Sequence, residues 1–481
     1  MPQSAEANRE AWQAIATGAI AHVIMLRDTA IVDDAIAAAV LTAIDGVQRA
    51  EPPSGSGSAA LVAAFDERID SLAAPGAVSA ASIARTRYDL AAAAQRLVLR
   101  DRLLRLALSL NTARSALLDL ADDHVFTLMQ VWSGSSPLQP TNFAHFLTGA
   151  IAPLARAARR LHGTVDEVDR SPLGAAALAG PGLPIDRDET ADLLGMEGPV
   201  QSTFDALTAV DYLTDAASVA AASVLPPRQL MEEFLRWLRA EPQALRIADE
   251  LLAPANGDLP VFRPPAAIQR LAVHARVVES SADGAMQLAR AIPYGPAVET
   301  IDPAFEMTLE TVAGAATVNE TFATLLAGPI EFNRAWFARQ AGRALVTMGD
   351  LADLLVLEEG LPPAAARDIT ALTASRAAQE GIEASGITPA TIDAAALLVI
   401  GREIGVEIER LGAYLAPRRF VEKRTLLGGP APAAVRETLE WERARLEADR
   451  RWRDEKQRRI ALAAENREIR THEILATASS G

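Results

Sequence analysis

The chain has 481 residues, half of them hydrophobic, only 5% aromatic and none a cysteine. That length allows two to four domains, each with its own core, and the missing thiols exclude disulfides, thiolate metal sites, iron–sulfur clusters and a cysteine nucleophile. A net charge of -16 argues against a phosphate-backbone partner, because such binding is dominated by Lys and Arg. Of the basic residues only Lys423 and Lys456 are lysines, so cationic ligand contacts fall to Arg and a Schiff-base lysine is nearly excluded.

In chain order, the N-terminus MPQSAEANREAW lacks the basic start and apolar core of a secretory signal. The stretch PPSGSGS, Pro52 to Ser58, predicts a surface loop inside an otherwise helical N-terminal region. Leu99, Leu103, Leu106, Leu110, Ala113, Leu117 and Leu120 alternate four and three apart, which places them on one seam of a long helix that demands a helical partner. The apolar run Ala216 to Leu225 is too short to span a bilayer and is followed by Pro226 and Pro227. No alternating strand pattern of useful length and no repeat is present. The segment Ala434 to Ala476 is charge-dense, with Glu447/Arg451 and Asp449/Arg453 four apart, and its weak apolar stripe predicts a solvated or partner-facing helix. The expected division is 1–110, an N-terminal helical domain; 111–345, a central bundle of long helices; 346–430, a small helical domain; and 431–481, a charged extension. A cytoplasmic protein without nucleic-acid or membrane partners is expected.

Two segments carry a specific resemblance: SPLGAAALAG at Ser171 and PIDRDETADLLG at Pro184. Here the chain resembles argininosuccinate lyase of the aspartase/fumarase superfamily. RTRYDL at Arg85, MQVWSGSSPLQP at Met129, GDLADLLVLEEGLPPAAARDI at Gly349 and GGPAPAAVRETL at Gly428 continue it to about residue 446. The resemblance implies an all-α, three-domain subunit whose central helices form a twenty-helix bundle in a homotetramer, with each active site drawn from three subunits. It implies a small carboxylate-bearing substrate, of succinyl, fumarate or amino-acid type. No cofactor and no metal is expected, because no ligand cluster and no glycine-rich phosphate fingerprint occurs.

Eliminating an amine from a succinyl group needs a base for the Cβ proton, donors for the resulting carboxylate-conjugated carbanion, and an acid for the leaving nitrogen. In the resembled family the base is a Ser on a flexible loop, with a His nearby. That loop aligns with NGDLPVFRPPAAIQ, where Asn256 and Gly257 replace the serines, Phe262 replaces the Lys and Pro264 the Asn, while Pro260 and Pro265 are kept. An alternative placement on ESSADGAM from Glu279 falls in a helical pattern. Ser133 takes the Thr position and Gly134 the His position; Gln139 and Pro140 are kept. In QSTFDALTAVDY, Asp205 and Asp211 are kept, Ser202 replaces an Asn and Val210 the substrate-binding Arg. Arg85, Thr86 and Arg87 match, with Tyr88 at an Asn position.

The candidate substrate-binding residues are therefore Arg85, Thr86, Arg87, Ser133, Ser136, Gln139, Ser202, Asp205, Asn256 and Arg263, and the candidate catalytic residues Tyr88, Tyr294 and Ser135. Arg85, Arg87 and Arg263 are expected either to converge across subunits on a carboxylate or to pair with Asp89 and other acids. For each Tyr, proton transfer stands beside a hydroxyl bonded to backbone. His124 is read as capping a helix end or as a surface residue, His145 and His162 as structural. Two functions follow: a lyase-scaffold enzyme of specialised biosynthesis, running an elimination, addition or rearrangement with non-standard catalytic residues, or a catalytically inactive homologue serving as a ligand-binding or assembly subunit.

Overall fold

The computed structural model describes residues 5–53, 57–73, 76–255, 257–259, 261–295 and 300–480. Asn256, Pro260 and residues 54–56 of the predicted Pro52 to Ser58 loop lie outside them. The chain is nearly all helical. The N-terminal part holds α1 (Ala5–Asp28), α2 (Asp34–Gln48), α3 (Ser58–Leu72) and α4 (Ala77–Ala81). The 37-residue α5 (Arg87–Asp123) follows, then a hairpin of β1 (Leu128–Ser133) and β2 (Ser136–Asn142), and α6 (Phe143–Val168). After α7 (Arg187–Leu193) and α8 (Asp205–Thr208) come α9 (Asp211–Ala240), β3 (Leu245–Ile247), α10 (Ala266–Arg290), α11 (Asp302–Leu326) and β4 (Ile330–Phe332). The remaining helices are α12 (Arg334–Gln340), α13 (Met348–Leu357), α14 (Pro363–Glu380), α15 (Pro389–Ile400), α16 (Ile408–Leu415), α17 (Pro417–Glu422) and the 49-residue α18 (Pro432–Ser480).

Local chemistry sets the long helices. Thr86 opens α5 with a capping box, its hydroxyl accepting from the amides of Tyr88 and Asp89 while Asp89 accepts from Thr86 N. Asn142 opens α6 by accepting from His145 N at 2.7 Å. Pro226 and Pro227 do not end α9; both are buried mid-helix. Helices α5, α6, α9, α10 and α11 pack side by side as a central bundle, and a second apolar cluster forms around Leu351, Leu354, Ile369 and Ile392.

The predicted seam of α5 is buried from Leu99 to Leu117, with Leu120 partly so, but its partners are α11, α6, α1 and α18 of the same chain. It therefore leaves no apolar face needing a second subunit. Two short antiparallel ribbons, β1 with β2 and β3 with β4, correct the expectation of no strands. Proline at 137 and 140 hid β2, since proline is tolerated only where a strand is an edge, and both strands of a two-stranded ribbon are edges.

The charged C-terminal helix is the largest departure. It starts beside the hairpin, where Asn142 donates to Pro430 O, and runs antiparallel to α5 until it meets α2. Asp449 pairs with the fully buried Arg114 instead of Arg453, and Glu447 with Arg450 instead of Arg451. His162 stacks on Trp452 with ring centroids 3.8 Å apart. Its docking face mixes buried apolar residues, Val435, Leu439, Leu446 and Ile474, with the buried charges Glu442 and Lys456, which is why the apolar stripe is weak.

Candidate functional site

Thr86, Arg87 and Tyr88 sit where α5 begins. Asp89, wholly buried, accepts from Gly174 N and Ala176 N at 3.0 Å each, and Thr86 donates to Ala176 O at 2.9 Å. These bonds draw the loop Ser171 to Gly180 onto the helix N-terminus. Within it Ala176 has φ 52° and Leu178 φ 139°, conformations an L-residue holds only under constraint and which concentrate at functional sites. Burial pushes the Asp89 carboxyl above its usual range, outweighing hydrogen bonds from Thr86, Ala176 and Gly174.

Arg85 does not reach this surface. Its side chain is 2% exposed and its guanidinium binds Asp66 at 2.7 Å, so the ion-pair reading describes it. Arg87 is exposed; it donates to Tyr88 Oη at 3.2 Å and lies 5.1 Å from that ring's centroid. On the same side Ser202 Oγ accepts from Asp205 N at 3.3 Å, and Tyr294, exposed, stacks on Phe204 at 5.6 Å. Arg87, Tyr88, Ser202, Asp205 and Tyr294 thus share one end of the bundle.

Ser133, Ser135, Ser136 and Gln139 lie at the other end, beyond the C-terminus of α5, which at about 1.5 Å per residue places them roughly 55 Å away. Ser133 pairs with Ser136 across a two-residue turn in which Gly134 has φ 60°. Cavities of about 430 Å³ and 220 Å³ flank this hairpin, the first lined by Trp132, Phe146 and Glu233, the second by Ser135, Arg236 and Trp336. Arg263 belongs to this end too, bound to Asp249 at 3.1 Å and to Asp249 O and Ala253 O. No described residue from 257 to 265 is helical, and the rejected segment at Glu279 lies inside α10.

The histidines are structural in geometry. His124 caps α5 and contacts Thr127 Oγ1 at 3.0 Å, and burial lowers it to about 4. His145 is held by Thr141 Oγ1 and Gly428 O. Among the described residues no group of His, Asp and Glu has the spacing of a metal site, and no helix is long and apolar enough to cross a membrane. Sequence reasoning missed the anchoring role of Asp89, though Thr86-x-x-Asp89 has the spacing of a capping box, and it foresaw the helix α18 but not that its side chains dock on this chain, at Asp169 and Glu189 to Glu197 flanking the loop.

A five-helix core carrying a strained loop at one end and a serine-rich hairpin at the other defines a helical lyase scaffold of the aspartase/fumarase type. A family profile described as lyase matches residues 63–244. The argininosuccinate lyase of Natronomonas pharaonis is 31% identical, over 93% of this chain and 89% of its own; argininosuccinate lyase 2 of Agrobacterium fabrum is 30% identical, over 89% and 85%. A crystal structure of EDDS lyase in complex with formate superposes with a TM-score of 0.84 at 25% identity, covering 98% of this chain and 93% of that one. The chain belongs to the argininosuccinate lyase family and is a C–N lyase.

Proposed function

We propose that this lyase releases fumarate from an N-substituted aspartate, or adds an amine to fumarate, in sites assembled between subunits of a homotetramer. A base removes a Cβ proton, the electron pair forms the Cα=Cβ bond, the C–N bond breaks, and its pair leaves on nitrogen, which takes a proton from an acid. In this reading Arg87 holds a substrate carboxylate with Thr86, Ser202 and Asp205 around it, and Tyr88 or Tyr294 handles a proton. The hairpin of another subunit brings Ser133, Ser135, Ser136 and Gln139, and a further one brings Asn256 and Arg263. The protein works in the cytoplasm, in a specialised biosynthetic step.

One observation carries the composite site: the two groups of candidate residues stand at opposite ends of α5 in a single chain, too far apart to touch one substrate. Val273 and Val277, one turn apart on the outer face of α10 and 61% and 54% exposed, support a further helix against the bundle. The relatives act on or bind compounds consistent with this chemistry, as the names argininosuccinate lyase and EDDS lyase state. The test is incubation with argininosuccinate, other N-substituted aspartates, and fumarate with amines, following fumarate by absorbance. Turnover of any pair supports the reading. Failure in both directions across the series would sink it and favour the ligand-binding or assembly alternative.

A further inference from the structure

Beyond Leu446, α18 contacts α5, α6, α1 and α2, and from Lys456 to Arg470 it returns repeatedly to the end of α6 and to the segment Glu189 to Glu197. The Lys456 ammonium, its side chain 6% exposed, lies 2.9 Å from Asp166 and 3.6 Å from Asp169 and also binds Glu197. Arg459 reaches Glu197 at 3.2 Å, Arg467 donates to Leu193 O, and Arg470 binds Glu189 at 2.9 Å. Gly195, at φ 66°, lies so close to α18 that a Cβ there would stand 3.1 Å from Ile460 Cα and from Ala463 Cβ.

That segment is the base of the loop already described. Glu197 N donates to Asp169 O at 2.9 Å, Ser171 N to Gly198 O at 2.8 Å, and Val200 N to Ser171 O at 2.9 Å. Asp169 is held in turn by Arg100 of α5 at 3.0 Å. From this closed base the strained residues Ala176 and Leu178 project toward Arg87 and Tyr88, tied by hydrogen bonds to Asp89 and Thr86, by short loop bonds and by packing of Ala175 and Leu178 with Tyr88, Val200, Ala206 and Leu207. Strained backbone persists when its surroundings over-determine it, and here α18 does not touch the strained residues but holds the base from which they project. In a chain with only two lysines, one is spent at this point. A compact ammonium with three donors suits three converging carboxylates, where a planar guanidinium does not.

We infer that α18 is a positioning helix, which through Lys456 and the close contact at Gly195 clamps the base of the loop 169–200 and so holds its tip, Ala175 to Leu178, in the geometry that binds a substrate carboxylate. The ligand part rests on the proposed role of Arg87, beside the loop tip, as the residue that holds a substrate carboxylate; the clamp does not.

The test uses full-length Lys456→Met and, separately, Gly195→Ala, which drives a Cβ into the backbone of α18 without changing charge. Hydrogen exchange read by mass spectrometry is expected to rise about tenfold in peptides covering 171–180 and to stay unchanged in α14 and α15. Calorimetry with fumarate is expected to show affinity several-fold weaker in both variants, an effect that a merely stabilising tail would not produce in folded protein. Unchanged exchange at 171–180 in both variants overturns the clamp. A rise spread equally over α14 and α15 also overturns it, because Lys456 would then serve global stability. Wild-type protein that fails to bind fumarate would sink the carboxylate part of the inference, while the exchange data alone would still decide the clamp.

Discussion

Asp89 joins local and distant structure with two oxygens. Oδ1 closes the capping box and Oδ2 accepts two amides of the loop Ser171 to Gly180. An amide at this position keeps one acceptor and turns an N–H toward other N–H groups, so Asp89→Asn should cost about 2 to 3 kcal/mol, measured by urea unfolding. An unchanged midpoint would show that the loop holds itself. The local half of this arrangement is legible in the spacing of Thr86 and Asp89. The distant half is not, since nothing in RTRYDL says that Ala176 will arrive, or that Asp66 will claim Arg85. His22 gives a pH prediction at the same scale. It is buried, its Nε2 contacts Ile83 O at 2.8 Å, and Nδ1 has no partner, so burial and the nearby Arg85 lower it to about 3. A lowered folded value means that the unfolded chain takes up a proton below about pH 6.5 which the folded chain refuses. Stability is present above that pH and lost as it falls toward 3, by about 2 kcal/mol between pH 7 and pH 5 from this residue alone. In His22→Gln the slope of unfolding free energy against pH over that interval should shrink accordingly.

At the scale of elements, periodicity reveals a stripe but not what covers it. The α5 seam is readable as an apolar line from Leu99 to Leu117; that its cover lies in the same chain depends on how α6, α11 and α18 return, which no local pattern encodes. Helix α18 shows the converse. Its sequence reads as solvated because the usual signal of docking is apolar, whereas this helix interleaves a few buried apolar residues with buried charges. Arg114, fully buried on α5, meets Asp449 and lies 3.9 Å from Glu442, itself 2% exposed. Removing one member of such a set strands the others in low dielectric. Arg114→Ala should therefore cost about 3 to 5 kcal/mol, whereas Arg450→Ala, which breaks an exposed pair with Glu447 on the same helix, should change stability by less than about 0.5 kcal/mol. Chemical denaturation of the two variants separates the cases; equal, small losses would mean that α18 is held by its apolar contacts, Val435, Leu439, Leu446 and Ile474 among them.

For the whole molecule, the length of α5 becomes a functional constraint. A subunit carries Arg87 and Tyr88 at one end and Ser135 and Ser136 at the other, so the proposed site, which uses both groups, calls for subunits placed with opposite ends together. Light scattering is expected to give four times the subunit mass. Composite sites also predict the behaviour of mixtures, which no site within one chain could produce. Arg87→Ala should abolish turnover by removing the carboxylate fork, a loss on the order of 2 to 4 kcal/mol in binding for a desolvated charged contact. Ser135→Ala with Ser136→Ala should abolish it from the hairpin side. Each pure variant has the same defect in all of its sites. When the two are coexpressed, some sites receive the intact α5 end from one subunit and the intact hairpin from another, and activity should return in proportion to such pairings. Recovery of fumarate release in the mixture, with none in either parent, is the expected result. A mixture as inactive as its parents, formed from demonstrably mixed oligomers, would mean that each subunit builds its own site and that the 55 Å separation has no catalytic meaning.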